Sequence, residues 1–138
     1  MTPELQKRPL EIELSFKVRS YDIDFAGILS NIVYIRWLED LRLEFFERYL
    51  NMADLLEKKQ APVLVSTHID YRQTVTFRDR VTGHLWVEKL GHKSMLFKAE
   101  FRVGNRLVAE AIQTNVFIDM KTMKAIALPA RIVLSTEC

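Results

Sequence analysis

Cysteine is nearly absent: among 138 residues the one thiol is Cys138, the last residue given. An internal disulfide is therefore impossible, and this usage fits a reducing compartment. Glycine and proline are also sparse, at four each, which argues against a fibrous repeat or a disordered chain. No run of about 18 apolar residues occurs, so no helical membrane span is expected. The opening MTPELQKRPLEIELSF holds no apolar segment of signal-peptide length. Neither charge sign dominates, since 20 Lys and Arg face 18 Asp and Glu for a formal net charge of +2. That balance alone points to no nucleic-acid or membrane partner. Tandem repeats and low-complexity tracts are missing too. These absences leave the expectation of a cytoplasmic globular protein with one domain over residues 1–138. A domain of that length buries roughly two-thirds of its unfolded surface.

What is present is a hydrophobic fraction of 49% arranged with clear periods. From Leu10 to Arg19 the chain alternates: Leu10, Ile12, Leu14, Phe16 and Val18 against Glu11, Glu13, Ser15, Lys17 and Arg19. Side chains on a strand alternate between its faces, so this segment predicts a strand with one buried face. The period then changes. Tyr34, Leu38, Leu41, Phe45 and Tyr49 recur at helical spacing, with Ile32, Ile35 and Phe46 expected to widen the stripe. Asn51 is placed to cap a short second helix, MADLLEKK, which Pro62 would help to close off.

Strands follow. VLVSTHIDY is rich in β-branched residues. Val81, Gly83, Leu85 and Val87 form one alternating set, and Met95, Phe97, Ala99, Phe101 and Val103 form another. Gly104-Asn105 predicts a tight hairpin turn into RLVAEAIQTNVFID, and Pro129 is placed to begin a short terminal helix. The expected fold is α+β: an antiparallel sheet of about five strands around one long helix.

Chemistry-bearing residues concentrate in YDIDFAGILSNIVYIRWLED, Tyr21 to Asp40. Two acids and a glycine precede the long helix, whose first N–H groups lack partners and carry the positive end of the dipole. Asp22 and Asp24 each have a plain reading as turn or capping residues, and Asn31 has one as the helix N-cap. His68, His84 and His92 lie too far apart in sequence to suggest a metal-ligand motif.

The segment Asp24-Phe25-Ala26-Gly27-Ile28, with Tyr34, Arg36 and Trp37 following, resembles the hot-dog acyl-CoA thioesterases of the 4-hydroxybenzoyl-CoA thioesterase family. GHKSMLF, Gly91 to Phe97, and the later MKAIALPARI carry weaker parts of the same likeness. The resemblance implies the hot-dog fold, with Asp24 as the catalytic carboxylate and Gly27 allowing close backbone approach to the thioester. It implies that Asn31 presents a backbone N–H to the thioester carbonyl, although many relatives carry His or Tyr there. Tyr34 and Trp37 would border the substrate, and Lys93 and Ser94 would lie near the phosphates of coenzyme A. Two such units would join into a continuous sheet, as a homodimer or a dimer of dimers. The implied substrate is an acyl-CoA or acyl-carrier-protein thioester, with no cofactor and no metal.

The reaction explains why such parts belong together. Attack on a thioester places negative charge on its carbonyl oxygen, which helix N-terminal N–H groups stabilise. A carboxylate serves as general base on water or as nucleophile. Two alternatives stand beside hydrolysis. One is a hot-dog hydratase or dehydratase, which needs a His paired with an acid. The other is a non-catalytic module that binds acyl-CoA or acyl-carrier protein.

Overall fold

The computed structural model describes residues 8–136, so Cys138 lies outside the described residues. The elements are β1 (Ile12–Lys17), α1 (Asn31–Tyr49), α2 (Met52–Glu57), β2 (Gln60–Tyr71), β3 (Arg80–Leu90), β4 (Ser94–Val103), β5 (Arg106–Asp119), β6 (Lys124–Ile126) and α3 (Ala130–Thr136). The strands form one antiparallel sheet in the order β1-β3-β4-β5-β2. The short β6 pairs with the end of β5 at Phe117, Ile118 and Asp119. The sheet thus has six strands where the sequence patterns give about five. The extra one is three residues long, too short to show a period.

The alternation of β1 translates directly into burial. Ile12, Phe16 and Val18 are buried, while Glu13, Ser15 and Lys17 are exposed. Leu10 adopts φ 57°, a left-handed conformation that ends the strand on that side. The inward face of the sheet wraps α1 through Val81, Leu85, Met95, Phe97, Phe101, Ala109 and Phe117. These pack with Leu38, Leu41, Phe45 and Phe46 of the helix in one core cluster. Gly83 sits where the helix comes closest. A Cβ there would lie 2.8 Å from Phe16 Cε2 and 3.2 Å from Leu41 Cδ1, so a side chain at this strand position would displace the core.

The widening of the helical stripe differs from expectation. Val33 and Trp37 turn inward, whereas Ile32 and Ile35 are 65% and 50% exposed. The helix is apolar on more than one side, and the sheet covers only the side bearing Tyr34, Leu38 and Leu41. Pro62 is also placed differently. Lys58 caps the C-terminus of α2 and Lys59 turns the chain at φ 57°. Pro62 lies beyond, within β2, opposite Phe117. β2 is an edge strand, the one place in a sheet where a residue without an N–H costs little. Asn51 caps α2 as expected, its Oδ1 accepting from Asp54 N–H at 3.0 Å. The Gly104-Asn105 turn joins β4 to β5, with Val103 opposite Arg106. Among the described residues, no helix is long and apolar enough to cross a membrane.

Candidate active site

The segment between β1 and α1 is a small hairpin. Ile23 bridges to Leu29, and Ile28 bridges to Thr76 of the β2–β3 connection. Its tip is Asp24-Phe25-Ala26-Gly27, closed by Gly27 N–H donating to Asp24 O at 3.0 Å. Gly27 has φ 79°, and a Cβ there would meet nothing within 4 Å. The backbone conformation, rather than crowding within this chain, therefore requires glycine.

The two acids play different parts. Asp22 is buried, and its Oδ2 accepts from Arg19 N–H at 2.8 Å. Its backbone carbonyl accepts from Ser30 N–H at 2.9 Å. Asp22 therefore ties the hairpin to the end of β1. Asp24 is exposed, and its Oδ1 accepts from Ala26 N–H at 2.8 Å and Ile28 N–H at 3.4 Å. Its Oδ2 has no hydrogen-bond partner among the described residues. One oxygen fixes the rotamer, which leaves the other for chemistry. Asp22→Asn weakens one partly buried hydrogen bond by making its acceptor neutral. The expected result is a stability loss of about 1 kcal/mol with kcat within a few-fold of the parent. Chemical unfolding beside a rate assay reads both.

The helix N-cap is Ser30, whose Oγ accepts from Ile32 N–H at 3.4 Å. Asn31 is the first helical residue, so it is not the cap. Its side chain is exposed, and its N–H has no hydrogen-bond partner among the described residues. It is a free donor at the positive end of a 19-residue helix.

Beside this donor lies a cleft of about 160 Å³ lined by Ile28, Leu29, Asn31, Tyr34, Tyr71 and Val75, among others. Tyr34 is 3% exposed, with its ring 5.6 Å from Tyr71 and 5.1 Å from Phe101. Burial pushes the Tyr34 phenol up to about 12, with Tyr71 adding to the rise and Arg106 opposing it. Tyr34 therefore stays a neutral hydrogen-bond donor at ordinary pH. Trp37 stacks on Phe16 at 4.8 Å and belongs to the core behind Tyr34, not to the cleft lining.

Lys93 and Ser94 lie elsewhere. Gly91 N–H donates to Ser94 O across the β3–β4 turn. That turn is at the Leu90 end of β3, whereas Lys17 and Arg80 pair at the other end, beside the Asp24 hairpin. Over the 11 residues of β3 the separation is roughly 35 Å. One chain places Asn31 and Tyr34 on the cleft and Asp24 and Gly27 at the tip of the adjoining hairpin, outside the cleft lining, and leaves Lys93 and Ser94 at the far end. None of the three histidines stands at the hairpin. His68 and His84 lie in β2 and β3, and His92 lies in the far turn.

Several contributors were not singled out from sequence. Tyr71 lines the cleft, and its hydroxyl donates to Asn31 O at 3.5 Å. Val75 holds the hairpin in place, its carbonyl accepting from Leu29 N–H at 2.7 Å. Both contacts are long-range, and no local period signals them.

The thioesterase-like superfamily profile matches residues 18–133, and the chain belongs to that superfamily. It is a thioester hydrolase of the hot-dog fold. The long-chain acyl-CoA thioesterase FadM of Escherichia coli is 29% identical over 119 residues, covering 85% of this chain and 90% of that protein. The 1,4-dihydroxy-2-naphthoyl-CoA hydrolase of a Synechococcus species is 30% identical over 125 residues, covering 86% and 84%. The crystal structure of YbaW, a probable thioesterase from Escherichia coli, superposes with a TM-score of 0.81 at 28% identity, covering 91% and 96%. A Staphylococcus aureus protein solved in complex with CoA shares the fold at a TM-score of 0.84 and 14% identity, covering 94% and 84%.

Proposed function

We propose that the chain hydrolyses acyl-CoA thioesters, releasing a carboxylic acid and coenzyme A, with Asp24 as general base or nucleophile. The observation that carries this reading is the unengaged Asp24 Oδ2 on a hairpin that leads into the free N–H of Asn31. The carboxylate attacks the carbonyl carbon or activates water to do so, while helix N–H groups stabilise the developing oxyanion. The thiolate of coenzyme A leaves without a strong general acid, and the reaction calls for no metal or cofactor. FadM and the naphthoyl-CoA hydrolase support a CoA thioester as donor. Acyl-carrier protein presents the same pantetheine arm and is the second donor to test. The site of action is the cytoplasm. The test is thiol release from benzoyl, phenylacetyl and short, medium and long aliphatic CoA thioesters. Turnover of at least one supports the reading, and silence on all of them overturns it.

The working unit is a homodimer or a dimer of dimers. Ligand sites usually occupy about 300–1,000 Å³, more than the cleft of about 160 Å³ in one chain. β2 offers a 12-residue free edge with Val63, Leu64 and Val65 exposed, an arrangement that invites strand pairing. Antiparallel pairing of two β2 edges sets the Tyr71 end of one beside the Gln60 end of the other. That brings the partner's β3–β4 turn toward the Asp24 hairpin, which reconciles Lys93 with a role at the coenzyme. Sedimentation is expected to show a dimer or larger, and a fully active monomer would contradict it. Lys93→Ala is then expected to raise KM more than it lowers kcat, because a remote phosphate contact contributes mostly uniform binding. An unchanged KM, with the same salt response as the parent, would place the coenzyme phosphates elsewhere.

A further inference from the structure

The polar side chains that line the cleft differ in what they already hold. Arg72 Nε donates to Glu110 at 2.9 Å, and Gln73 Oε1 accepts from Arg106 at 2.9 Å. The Tyr71 hydroxyl donates to Asn31 O at 3.5 Å. Asn31 and Thr74 are exposed, so water serves their side chains. Tyr34 is the exception. Its ring packs against Trp37, Tyr71 and Phe101, and the residue is buried. Its hydroxyl has no hydrogen-bond partner among the described residues, yet the oxygen still touches solvent. A buried phenol ordinarily finds a partner for its O–H. Here the partner must come from whatever fills the cleft.

The position of Tyr34 says what that is. It stands three residues after Asn31 on the same face of α1. Helical side chains slope toward the N-terminus, so the Tyr34 hydroxyl reaches back over the turn that begins at Asn31. Tyr71 marks the same spot, with its ring 5.6 Å from Tyr34 and its hydroxyl on Asn31 O. The free N–H of Asn31 and the free O–H of Tyr34 thus serve one small cleft.

A thioester carbonyl oxygen has two lone pairs and gains negative charge on attack. The first turn of the helix supplies one donor for it. Ile32 N–H is engaged by Ser30 Oγ and Val33 N–H by Ser30 O, which leaves Asn31 N–H. An alkyl chain lying against Tyr34 would strand its hydroxyl, whereas every acyl-CoA brings a carbonyl oxygen. The phenol, pushed up to about 12 by burial, donates without ionising at ordinary pH.

We propose that Tyr34 is a further catalytic residue, whose hydroxyl donates to the thioester carbonyl oxygen and, with Asn31 N–H, stabilises the oxyanion formed on attack. Attack at the carbonyl carbon moves the C=O electron pair onto oxygen, and its return expels the thiolate. Tyr34 keeps its proton throughout. This rests on the thioesterase reading above and adds a side-chain donor to the backbone one.

The experiment compares Tyr34→Phe with the parent on the benzoyl, phenylacetyl and aliphatic CoA thioesters, with thermal unfolding recorded beside the rates. The substitution removes one oxygen that has no protein partner, so the variant is expected to unfold no earlier than the parent. Its kcat is expected to fall by ~10²-fold, the usual loss of one oxyanion donor. The factor should be similar for every acyl group, with KM within a few-fold, the pattern of a bond made in the transition state. A kcat within a few-fold of the parent overturns the proposal. So does a loss carried by KM alone, which would mean ground-state binding. So does a loss confined to one class of acyl group, which would mean that the hydroxyl reads the acyl chain. A variant of lowered stability would mean that the hydroxyl has a partner within the fold, and that also overturns it. A parent silent on every CoA thioester would remove the thioesterase reading and this proposal with it. An active parent matched by Tyr34→Phe would remove this proposal alone.

Discussion

Asp24→Asn is expected to lower kcat by ~10²–10⁴-fold, the usual loss when a general base is removed, and by more if the carboxylate is the nucleophile. The fold should remain. Asparagine offers a carbonyl oxygen that can still accept from Ala26 and Ile28 N–H, as Asp24 Oδ1 does now. The residue is exposed, so no buried charge is altered. What disappears is the basic Oδ2. Steady-state rates beside thermal unfolding separate these effects, and a variant with both parental stability and parental turnover would reduce Asp24 to a turn former.

Phe101→Ala carries the largest expected loss of stability. Phe101 is fully buried, with its ring centroid 5.1 Å from Tyr34, 6.1 Å from Trp37 and 6.3 Å from Phe16. Truncation opens a cavity beneath the cleft and removes these ring contacts, at a cost of about 3–5 kcal/mol. Set against a typical total of about 5–15 kcal/mol, the variant should unfold at markedly lower denaturant. A loss below about 1 kcal/mol, read from the unfolding midpoint, would mean that the aromatic cluster does not hold the helix to the sheet.

The framework of this protein was legible in the sequence wherever one face of an element is buried. Strand β1 showed its inward set because its other face meets water. Position α1 could be read as a long helix, but not which way it turns. Its apolar residues extend past the side that the sheet covers, and period alone does not choose between Val33 and Ile32. Pro62 reads as closing off α2 because proline cannot continue a helix, and its missing N–H also disfavours a strand interior. At a free edge that objection lapses. Ser30 and Asn31 are both good capping residues, and only the bond from Ile32 N–H to Ser30 Oγ selects between them.

The candidate site was legible in its local part alone. Asp24 and Gly27 belong to one turn, so their spacing carries their relation. Tyr71 and Val75 join that turn from the other side of the molecule through contacts that only folding creates. Lys93 illustrates the reverse limit. The resemblance of its sequence neighbourhood implies a place near the coenzyme, yet in one chain it stands at the opposite end of the sheet from Asp24.

The most direct measurement is thiol release from the best CoA thioester by the parent, Asp24→Asn and Asp22→Asn side by side. The account predicts turnover in the parent and in Asp22→Asn within a few-fold of each other, with Asp24→Asn lower by ~10²-fold or more. Equal rates for the parent and Asp24→Asn, or a greater loss in Asp22→Asn, would contradict it.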